Sequence, residues 1–298
     1  MSRIFLKPNT ATTSVSFTNG AIWEGGTAPA TGDEAHLRDA NLKFDLTLAH
    51  GAIKLAKLVI YDTFKGAFGG SGTNAITISF DIGWFHVPAV RSINSVGSPL
   101  ININHGSNAA DITVYGSKIP PGTDAGLMPI RFLGTATSGT NLNVASGSVA
   151  YGGNSISETG QCQTLSVTGN GAKVYVGPGI TLSTVNVAAG ELDVNSAVPT
   201  LNLTGGQITT AGDWQMGTAT LTGGKGFFNH RNSGGTEVST LKMQGATLDL
   251  SQKADAFAAT ATTFRTGTVK QFAFDQVAFG TITVDFNQNR TLTVTNAA

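Results

Sequence analysis

The chain has 298 residues, and only 12% of them are charged, with 18 basic residues balanced by 18 acidic ones. So sparse and balanced a charge argues against binding to nucleic acid or to an anionic membrane, because both attract proteins with a strong positive field. Hydrophobic residues make up 40% of the chain and recur at regular spacing, which excludes a disordered chain. The 38 glycines indicate many short strands joined by tight turns, since glycine reaches positive φ without strain.

The N-terminal residues differ from the rest of the chain. Residues 1–13 carry Arg3 and Lys7 but no apolar stretch of secretory length, so we expect no export signal, synthesis in the cytoplasm and no membrane span. Residues 1–20 lack the repeat that follows, and their alternating apolar positions indicate an extended arm available for strand addition to a neighbour. The alternative is that the arm folds back onto the first rung. We predict an N-terminal arm and lead-in cap over residues 1–35.

A ten-residue pattern recurs through the middle of the chain. Two apolar residues at i and i+2 are followed by small residues around a glycine, and then by two more apolar residues at i and i+2. The spacing of two places each apolar pair on one face of a strand, and the glycine marks a bend between two strands. Five copies of the pattern are residues 46–55 (LTLAHGAIKL), 142–151 (LNVASGSVAY), 185–194 (VNVAAGELDV), 201–210 (LNLTGGQITT) and 241–250 (LKMQGATLDL).

One copy of this unit cannot bury its apolar face alone, so successive copies must stack with equivalent side chains in register. We predict one interior ladder formed by Leu165, Val185, Leu201, Leu221 and Leu241, and a second formed by Val174, Leu192, Ile208, Phe227 and Leu248. The fold class is therefore all-β, a single-stranded parallel β-helix (β-solenoid) over residues 36–251, with a right-handed coil as the expected form. A hairpin-based β-sandwich is the alternative, because it also has short alternating strands.

The C-terminal residues depart from the repeat. An Ala-rich stretch at 253–261 predicts one or two helical turns, and Phe-rich segments at 268–274, 281–286 and 291–295 predict strands. Residues 287–290 (NQNR) resemble a turn and predict a final hairpin. Because the terminal units of a solenoid must shield its open core, we predict a C-terminal β cap with a β-hairpin over residues 252–298.

Catalytic and cofactor-binding motifs are not found in this sequence. The chain contains no G-x-S-x-G, G-x-G-x-x-G, phosphate-loop or H-E-x-x-H sequence, and its histidines stand singly without the spacing of metal ligands. Its single cysteine, Cys162, permits no intrachain disulfide and is expected to be a small buried apolar residue. We therefore predict a protein that is not an enzyme, with no catalytic, cofactor-binding or metal-binding residue. The five histidines are His36, His50, His86, His105 and His230.

Paired carboxylates need a geometric test, because parallel β-helices include enzymes that cleave glycans. Asp193 and Asp249 occupy the same outward position of copies that are three rungs apart, which places them about 14 Å from each other. The two carboxylates of a glycosidase lie about 5 to 9.5 Å apart, so these aspartates cannot form a catalytic pair. Glu191 and Asp193 are about 7 Å apart along one strand, which such a pair tolerates, but two exposed carboxylates on a strand are the ordinary pattern of a solvated face.

Two further segments have a possible binding role. Residues 69–77 (GGSGTNAIT) match a calcium-binding nonapeptide except that Asn74 replaces the aspartate, and the motif occurs once instead of in tandem. A flexible glycine corner is therefore the better interpretation. Residues 84–86 (WFH) are the densest aromatic cluster, which suits either core packing or stacking on a sugar or partner protein.

The features together resemble the β-helical structural proteins of tailed bacteriophages, above all capsid decoration and head-stabilising proteins. The matching features are the Trp23 lead-in with Gly32-Asp33, the glycine-centred repeat over about residues 40–251, and the Phe-rich end. The resemblance implies a virion protein that decorates or stabilises the capsid through contacts with the major capsid protein or other virion proteins, as a homo-oligomer, with a trimer favoured. The alternative is a tail spike or fibre that binds a host surface glycan.

Overall fold

The chain forms an all-β solenoid with almost no helix, as the repeat predicts. The computed structural model describes residues 2–8, 14–40, 43–44, 55–61, 63, 67–68, 76–79, 84–87, 90–91, 101–104, 109–115, 117–118, 130–134, 139–253, 255–271, 277–284 and 292–296. Between β13 and β26, whose bounds follow below, the strands coil through about eight turns. All of the paired strands run parallel, which excludes the hairpin-based sandwich.

The first part of the chain has short strands and two 3-10 turns, Gly20–Ile22 and Glu24–Gly26. Its strands are β1 (Arg3–Phe5), β2 (Ser14–Val15), β3 (Glu34–Leu37), β4 (Lys43–Phe44), β5 (Lys57–Ile60), β6 (Ala67–Phe68), β7 (Ile76–Ser79), β8 (Trp84–Val87), β9 (Val90–Arg91), β10 (Ile101–Asn104), β11 (Asp111–Val114) and β12 (Ser117–Lys118).

From residue 130 onward the strands are longer and follow one another closely. They are β13 (Ile130–Leu133), β14 (Asn141–Val144), β15 (Gly147–Tyr151), β16 (Gly160–Val167), β17 (Ala172–Val176), β18 (Ile180–Val187), β19 (Glu191–Val194), β20 (Thr200–Leu203), β21 (Gln207–Thr210), β22 (Met216–Leu221), β23 (Lys225–Phe228), β24 (Val238–Leu250), β25 (Phe257–Gln271), β26 (Val277–Val284) and β27 (Leu292–Asn296).

Two parallel ladders run along the molecule. The first ladder joins β1, β3, β5, β8, β11, β14, β16, β18, β20, β22, the first half of β24, the first half of β25 and β26. The second ladder joins β7, β10, β13, β15, β17, β19, β21, β23, the ends of β24 and β25, and β27. From β5 onward each turn therefore contributes one strand to each ladder. Outside these ladders, β2, β4 and β6 pair in parallel and β9 pairs with β12, while loops form the third side of the later turns.

The core lies between the two ladders, because alternate residues of each strand point inward. In the first ladder Leu165 pairs with Val185 and Val185 with Leu201, as predicted. The next partner of Leu201 is Ala219 and not Leu221, which lies one pleat further along the same strand. The prediction missed this register because both residues are apolar and face inward, so periodicity alone cannot choose between them.

The predicted second ladder is wrong at one position. Ile208 pairs with Gly226 and Gly226 with Leu248, so Phe227 lies on the outward face. The aromatic ring that fills the interior here belongs to Phe228, which is fully buried. A side chain at Gly226 would meet that ring, because its Cβ would lie 3.1 Å from a ring carbon of Phe228. Glycine is thus needed where a large ring takes the space of two inward positions.

The glycine of the repeat lies at the corner between the two ladders. Gly190, Gly206 and Gly224 all have positive φ and come directly before a strand of the second ladder. The corners stack so closely that a Cβ at Gly206 would lie 2.6 Å from the carbonyl oxygen of Gly190. That oxygen accepts a 2.8 Å hydrogen bond from the Gln207 backbone N–H. Both the backbone angle and the close approach therefore require glycine at this place.

The N-terminal arm folds back onto the solenoid. β1 pairs in parallel with β3, and the Leu6 backbone N–H donates to the His36 carbonyl at 2.9 Å. Leu6 and Phe17 are buried, and the Trp23 indole donates to the Phe17 carbonyl oxygen at 2.9 Å. The described part of the arm is thus paired with β3 and packed by Leu6 and Phe17 as the first strand of the first ladder, which favours the folded-back alternative over an arm free for strand addition.

The C-terminal prediction is wrong in two respects. Residues 257–261 belong to the 15-residue strand β25 and not to a helix. The hairpin is also replaced by parallel pairing, because β26 joins the first half of β25 and β27 joins its second half. The described C-terminal residues therefore continue both ladders. Alternating burial explains the strand, since Phe257, Ala259 and Phe264 point inward where a helix would scatter them.

Candidate functional site

The outward side of the first ladder from β14 to β25 is a regular surface of mostly small, uncharged residues. In one row Asn141 is followed in register by Thr164, Thr184, Thr200, Thr218 and Thr240. In the second row Asn143 is followed by Ser166, Asn186, Asn202, Thr220, Lys242 and Thr263. We call these two rows the Thr/Asn face. Its neighbouring side chains repeat at the strand spacing of about 4.8 Å.

The side chains of the Thr/Asn face are ordered by contacts with one another and with the next turn. The Asn202 amide donates to the Asn186 side-chain oxygen at 2.9 Å, which links two neighbouring positions of the second row. The Thr168 hydroxyl donates to the Asn143 side-chain oxygen at 3.3 Å. The outward residues are half-buried because each is flanked by its neighbours in the row. The face is consequently flat, polar and nearly free of charge.

The outward side of the second ladder has a different character, because it carries ion pairs. Lys173 lies 3.5 Å from Glu191, and Lys225 lies 3.2 Å from Asp249. The Lys225 ammonium is also 4.2 Å from the centre of the Phe227 ring. The two outward surfaces of the coil therefore differ in charge, although both follow the same strand repeat.

The third side of the coil holds a polar pocket of about 530 Å³ that opens to solvent. Three successive loops form it, and each contributes two lining residues. They are Gly212 and Asp213 from the β21–β22 loop, Asn229 and Arg231 from the β23–β24 loop, and Gln252 and Asp255 from the β24–β25 loop. We call this the three-loop pocket.

Hydrogen bonds hold the first two loops of the pocket together. The Arg231 backbone N–H donates to the Gly212 carbonyl at 2.9 Å, and the Trp214 N–H donates to the Arg231 carbonyl at 2.8 Å. The Trp214 ring lies flat on the His230 ring, with centroids 4.1 Å apart. His230 is fully buried and its Nδ1 lies 2.6 Å from the Thr210 hydroxyl. The backbone that presents Asn229 and Arg231 is therefore rigidly placed.

A buried lysine joins the third loop to the second. Lys253 is 3% exposed, and its ammonium donates to the His230 carbonyl and to Asp255 Oδ1, both at 2.8 Å. It also lies 3.6 Å from Glu237 Oε1. Two carboxylates and a carbonyl thus surround one buried cation. The hydrogen bond from Lys253 lowers the pKa of Asp255, while burial lowers the pKa of His230 to about 4, so this histidine is neutral at pH 7.

The predicted carboxylate geometry agrees with the register. Asp193 pairs with Thr209, Thr209 with Phe227, and Phe227 with Asp249, which places the two aspartates three strands apart. Glu191 is exposed, and its nearest partner is Lys173. Burial raises the pKa of Asp193. Glu191 and Asp193 remain on the charged outward surface, away from the three-loop pocket on the third side.

Cys162 is buried, as predicted, and burial raises the pKa of its thiol to about 12. Two of the histidines are buried in polar contacts that single-residue inspection did not predict. His36 Nε2 lies 3.1 Å from Glu34 Oε2 and its Nδ1 lies 3.0 Å from the Tyr61 hydroxyl. His36 lies in β3, all four residues of which are buried, whereas His230 lies in the β23–β24 loop, so no single sequence pattern marks both.

Other predicted features fall partly outside the described residues. The glycine-rich motif at 69–77 has only its last two residues described, within β7. Residues 84–86 lie in β8, where Phe85 pairs with Leu58 and Ile112. His50 and His105 lie outside the described residues.

Among the described residues, no group of three or more His, Cys, Asp or Glu side chains is placed to hold a metal ion. No helix in the same ranges is long and apolar enough to cross a membrane. Comparison of the chain with protein-family models, with curated proteins and with solved structures gives no match.

Proposed function

We propose that this protein is a non-enzymatic structural component of a phage particle, which decorates or stabilises the capsid through protein–protein contacts. The observation that carries the proposal is the Thr/Asn face, which extends in register from β14 to β25. A flat surface of short side chains allows another protein to approach closely along its whole length. The assignment to a phage particle rests on the resemblance of the sequence to β-helical virion proteins.

The occupant that best fits the Thr/Asn face is a second copy of this chain. Another copy presents the same rows at the same spacing of about 4.8 Å, so hydroxyl and amide groups meet in register over many strands. Threonine and asparagine side chains can both donate and accept hydrogen bonds, which makes such a surface complementary to itself. This supports a homo-oligomer whose remaining surfaces contact the capsid; the preference for a trimer comes from the resemblance to virion proteins and not from this face.

Sedimentation of the purified protein tests the contact between copies. Because the rows contain a single charged residue, Lys242, we expect the oligomer to dissociate to the same extent at 0.05 M and 1 M NaCl, unlike one held by ion pairs. Thr200→Lys and Thr218→Lys together should shift the oligomer toward monomer. Gln207→Lys, on the charged outward surface of the same region, is the matched control. An oligomer that ignores the threonine substitutions would contradict this use of the face.

Electron microscopy of the assembled particle tests the location. A decoration protein should appear on the capsid shell in numbers stoichiometric with the shell subunits. A few copies at the tail would favour the spike or fibre alternative, and absence from purified particles would overturn the virion proposal.

A further inference from the structure

The corner between β16 and β17 is longer than the corners stacked on either side of it. Between positions that are in register on the two ladders, the preceding turn has three residues, this turn has five and the following turn has three. The three corners are residues 145–147, 168–172 and 188–190. A Cβ at Gly169 would overlap the Ala145 carbonyl oxygen, so the stacked side of this corner has no free space. The additional residues therefore lie on the solvent side.

The tip of this longer corner is an Asn-Gly dipeptide. Asn170 and Gly171 are both exposed, and they occupy the two central positions of a β-turn that the Ala172 N–H closes by donating to the Gly169 carbonyl at 3.0 Å. Among the described residues, no hydrogen bond holds the Asn170 side chain or the Gly171 N–H. The amide carbon of this side chain is therefore accessible to the backbone nitrogen of the next residue, where glycine has no Cβ to obstruct the approach.

This arrangement permits a reaction within the chain. The backbone nitrogen of Gly171, after losing its proton to hydroxide, attacks Asn170 Cγ. The new C–N bond closes a succinimide ring, and the bond from Cγ to Nδ2 breaks with release of ammonia. Water then opens the ring at one of its two carbonyl carbons. The product is aspartate, or isoaspartate in which the main chain runs through the former side-chain carbon.

We propose that Asn170 is a site of spontaneous deamidation, selected by the fold. The sequence contains a second Asn-Gly dipeptide at residues 19–20, but there the side chain is held. Asn19 Oδ1 accepts from the Ala21 N–H at 3.0 Å, and the Asn19 carbonyl accepts from the Ile22 N–H at 3.3 Å. Ring closure at Asn19 must first break this cap, whereas Asn170 needs no such step.

The reaction changes one rung of the coil. It places a negative charge at the corner, and isoaspartate also adds a carbon to the main chain. The Gly171 carbonyl accepts from the Gly147 N–H of the preceding corner at 3.0 Å, so a longer main chain alters the contact between two successive turns. This inference goes beyond the proposed structural role and does not rest on it.

Peptide mapping by mass spectrometry, after incubation of the purified full chain at pH 8.5, tests the proposal. Asn170 should convert at least about tenfold faster than Asn19, because Asn19 must first lose its capping hydrogen bond. Each conversion raises the mass by about 1 Da, as an amide becomes a carboxylate. The tryptic peptide 132–173 also contains Asn143 and Asn154, which accept hydrogen bonds from Thr168 and Tyr175 and should remain unchanged.

Two controls separate the chemistry from the fold. Gly171→Ala should slow conversion of Asn170 about tenfold or more, since a methyl group hinders the attacking nitrogen. The variant should fold, because φ of Gly171 is not positive and the added Cβ meets only the Ser146 hydroxyl, at 3.3 Å. In urea, which removes the cap of Asn19, the two Asn-Gly dipeptides should convert at similar rates.

Three results would overturn the proposal. They are an Asn170 amide that persists in the folded protein, conversion of Asn19 as fast as that of Asn170 in the folded protein, and a Gly171→Ala variant that converts as fast as the parent. The sedimentation and microscopy tests of the structural role are unaffected by any of them.

Discussion

Lys253 illustrates how a single residue on the third side depends on its neighbours. Its ammonium is buried and satisfied by the His230 carbonyl, by Asp255 and by Glu237. Glu237 is itself 4% exposed, and its Oε2 accepts from the Ala258 backbone N–H at 2.7 Å. Removal of Lys253 would leave the buried Glu237 carboxylate without its cation, which costs far more than a surface ion pair is worth. This cluster therefore ties β24 to β25 around the pocket.

His230 predicts a dependence of stability on pH. Burial lowers its pKa to about 4 in the folded protein, while an unfolded chain has a histidine pKa of about 6.5. The folded state therefore resists protonation, and its stability is complete above about pH 6.5 and is lost as the pH falls toward 4. The slope approaches about 1.4 kcal/mol per pH unit within that window.

Urea unfolding of the parent protein and of His230→Gln at pH 7 and at pH 4.5 measures this contribution. The parent should lose about 2 kcal/mol more than the variant between the two pH values, because glutamine does not titrate. All other histidines are common to both proteins and cancel in the comparison. Equal losses of unfolding free energy in the two proteins would contradict this prediction, because they would show that folding does not change the affinity of His230 for its proton.

Gly226→Val should have opposite effects on the free energy of unfolding in the presence and in the absence of the Phe228 ring. Gly226→Val alone should destabilise the protein by about 1 to 3 kcal/mol, because its side chain would collide with the Phe228 ring. Phe228→Ala alone should cost about 3 to 5 kcal/mol by leaving a cavity. In the Phe228→Ala background, Gly226→Val should restore stability because the valine fills that cavity.

A double-mutant cycle from urea unfolding measures the coupling between the two positions. Thr209→Val, at the outward position that pairs with Phe227, is a control that should behave alike in both backgrounds. Additive free energies for Gly226→Val and Phe228→Ala would show that the two side chains do not share the same interior space.

At the scale of elements, the N-terminal arm is the segment for which the structure differs most from the expectation based on sequence. Its alternating apolar residues predict a strand, and β1 is one. What periodicity does not reveal is the partner of that strand, because a strand edge can pair with any other edge that reaches it. The pairing of β1 with β3, together with the burial of Leu6 and Phe17, makes the arm part of the fold.

Deletion of residues 2–18 should therefore lower stability. The deletion exposes the surface that Leu6 and Phe17 cover, which corresponds to about 3 to 6 kcal/mol, and it leaves the buried Trp23 indole without its acceptor. Urea unfolding of the truncated protein measures the loss, and Thr18→Ala, at an exposed position, is the mild control. A truncated protein that keeps its stability but no longer assembles would return the arm to the role of an attachment strand.

The C-terminal strands show a related ambiguity. Residues 253–261 are rich in alanine, which favours helix in isolation, yet β25 runs through most of them. β24 pairs in parallel with β25, including Ala259 and Ala261 of this stretch, and the tertiary pairing outweighs a weak local preference. Residues 287–290 do separate two strands, but those strands lie in different ladders, so a turn signal cannot distinguish a hairpin from a corner of a coil.

At the scale of the whole molecule, stability should be spread over the stacked turns and not concentrated in a metal site. The first ladder extends from β1 to β26 and the second from β7 to β27, with the core between them. The sequence contains one variant copy of the calcium-binding nonapeptide, with asparagine in place of the aspartate ligand. We therefore expect a chelator to leave the melting temperature of the protein within about 5 °C.

Differential scanning calorimetry with and without EDTA makes this measurement. Re-addition of Ca²⁺ is the control for a nonspecific effect of the chelator. A larger drop that Ca²⁺ reverses would correspond to more than about 1 kcal/mol of lost binding energy and would establish a structural calcium site.

The sequence alone determines the architecture, because the evidence for it is local and repeated. The apolar i, i+2 pairs and the corner glycines occur in copy after copy, and each copy can bury its apolar face only against the next. The same logic placed Val174, Leu192 and Ile208 correctly in one ladder. It also separated Asp193 from Asp249 by three strands, since register follows directly from equivalent positions in the repeat.

Only the tertiary structure decided what the loops do and where the termini pair. The three-loop pocket is lined by residues from three loops that share no pattern, because loops on the third side vary from turn to turn. These residues are Gly212, Asp213, Asn229, Arg231, Gln252 and Asp255. The choice of Gly226 over Phe227 depended on the shape of a ring on a neighbouring position. Such features arise from contacts between residues distant in sequence, and a periodic pattern specifies which residues face inward without specifying which of them share the same space.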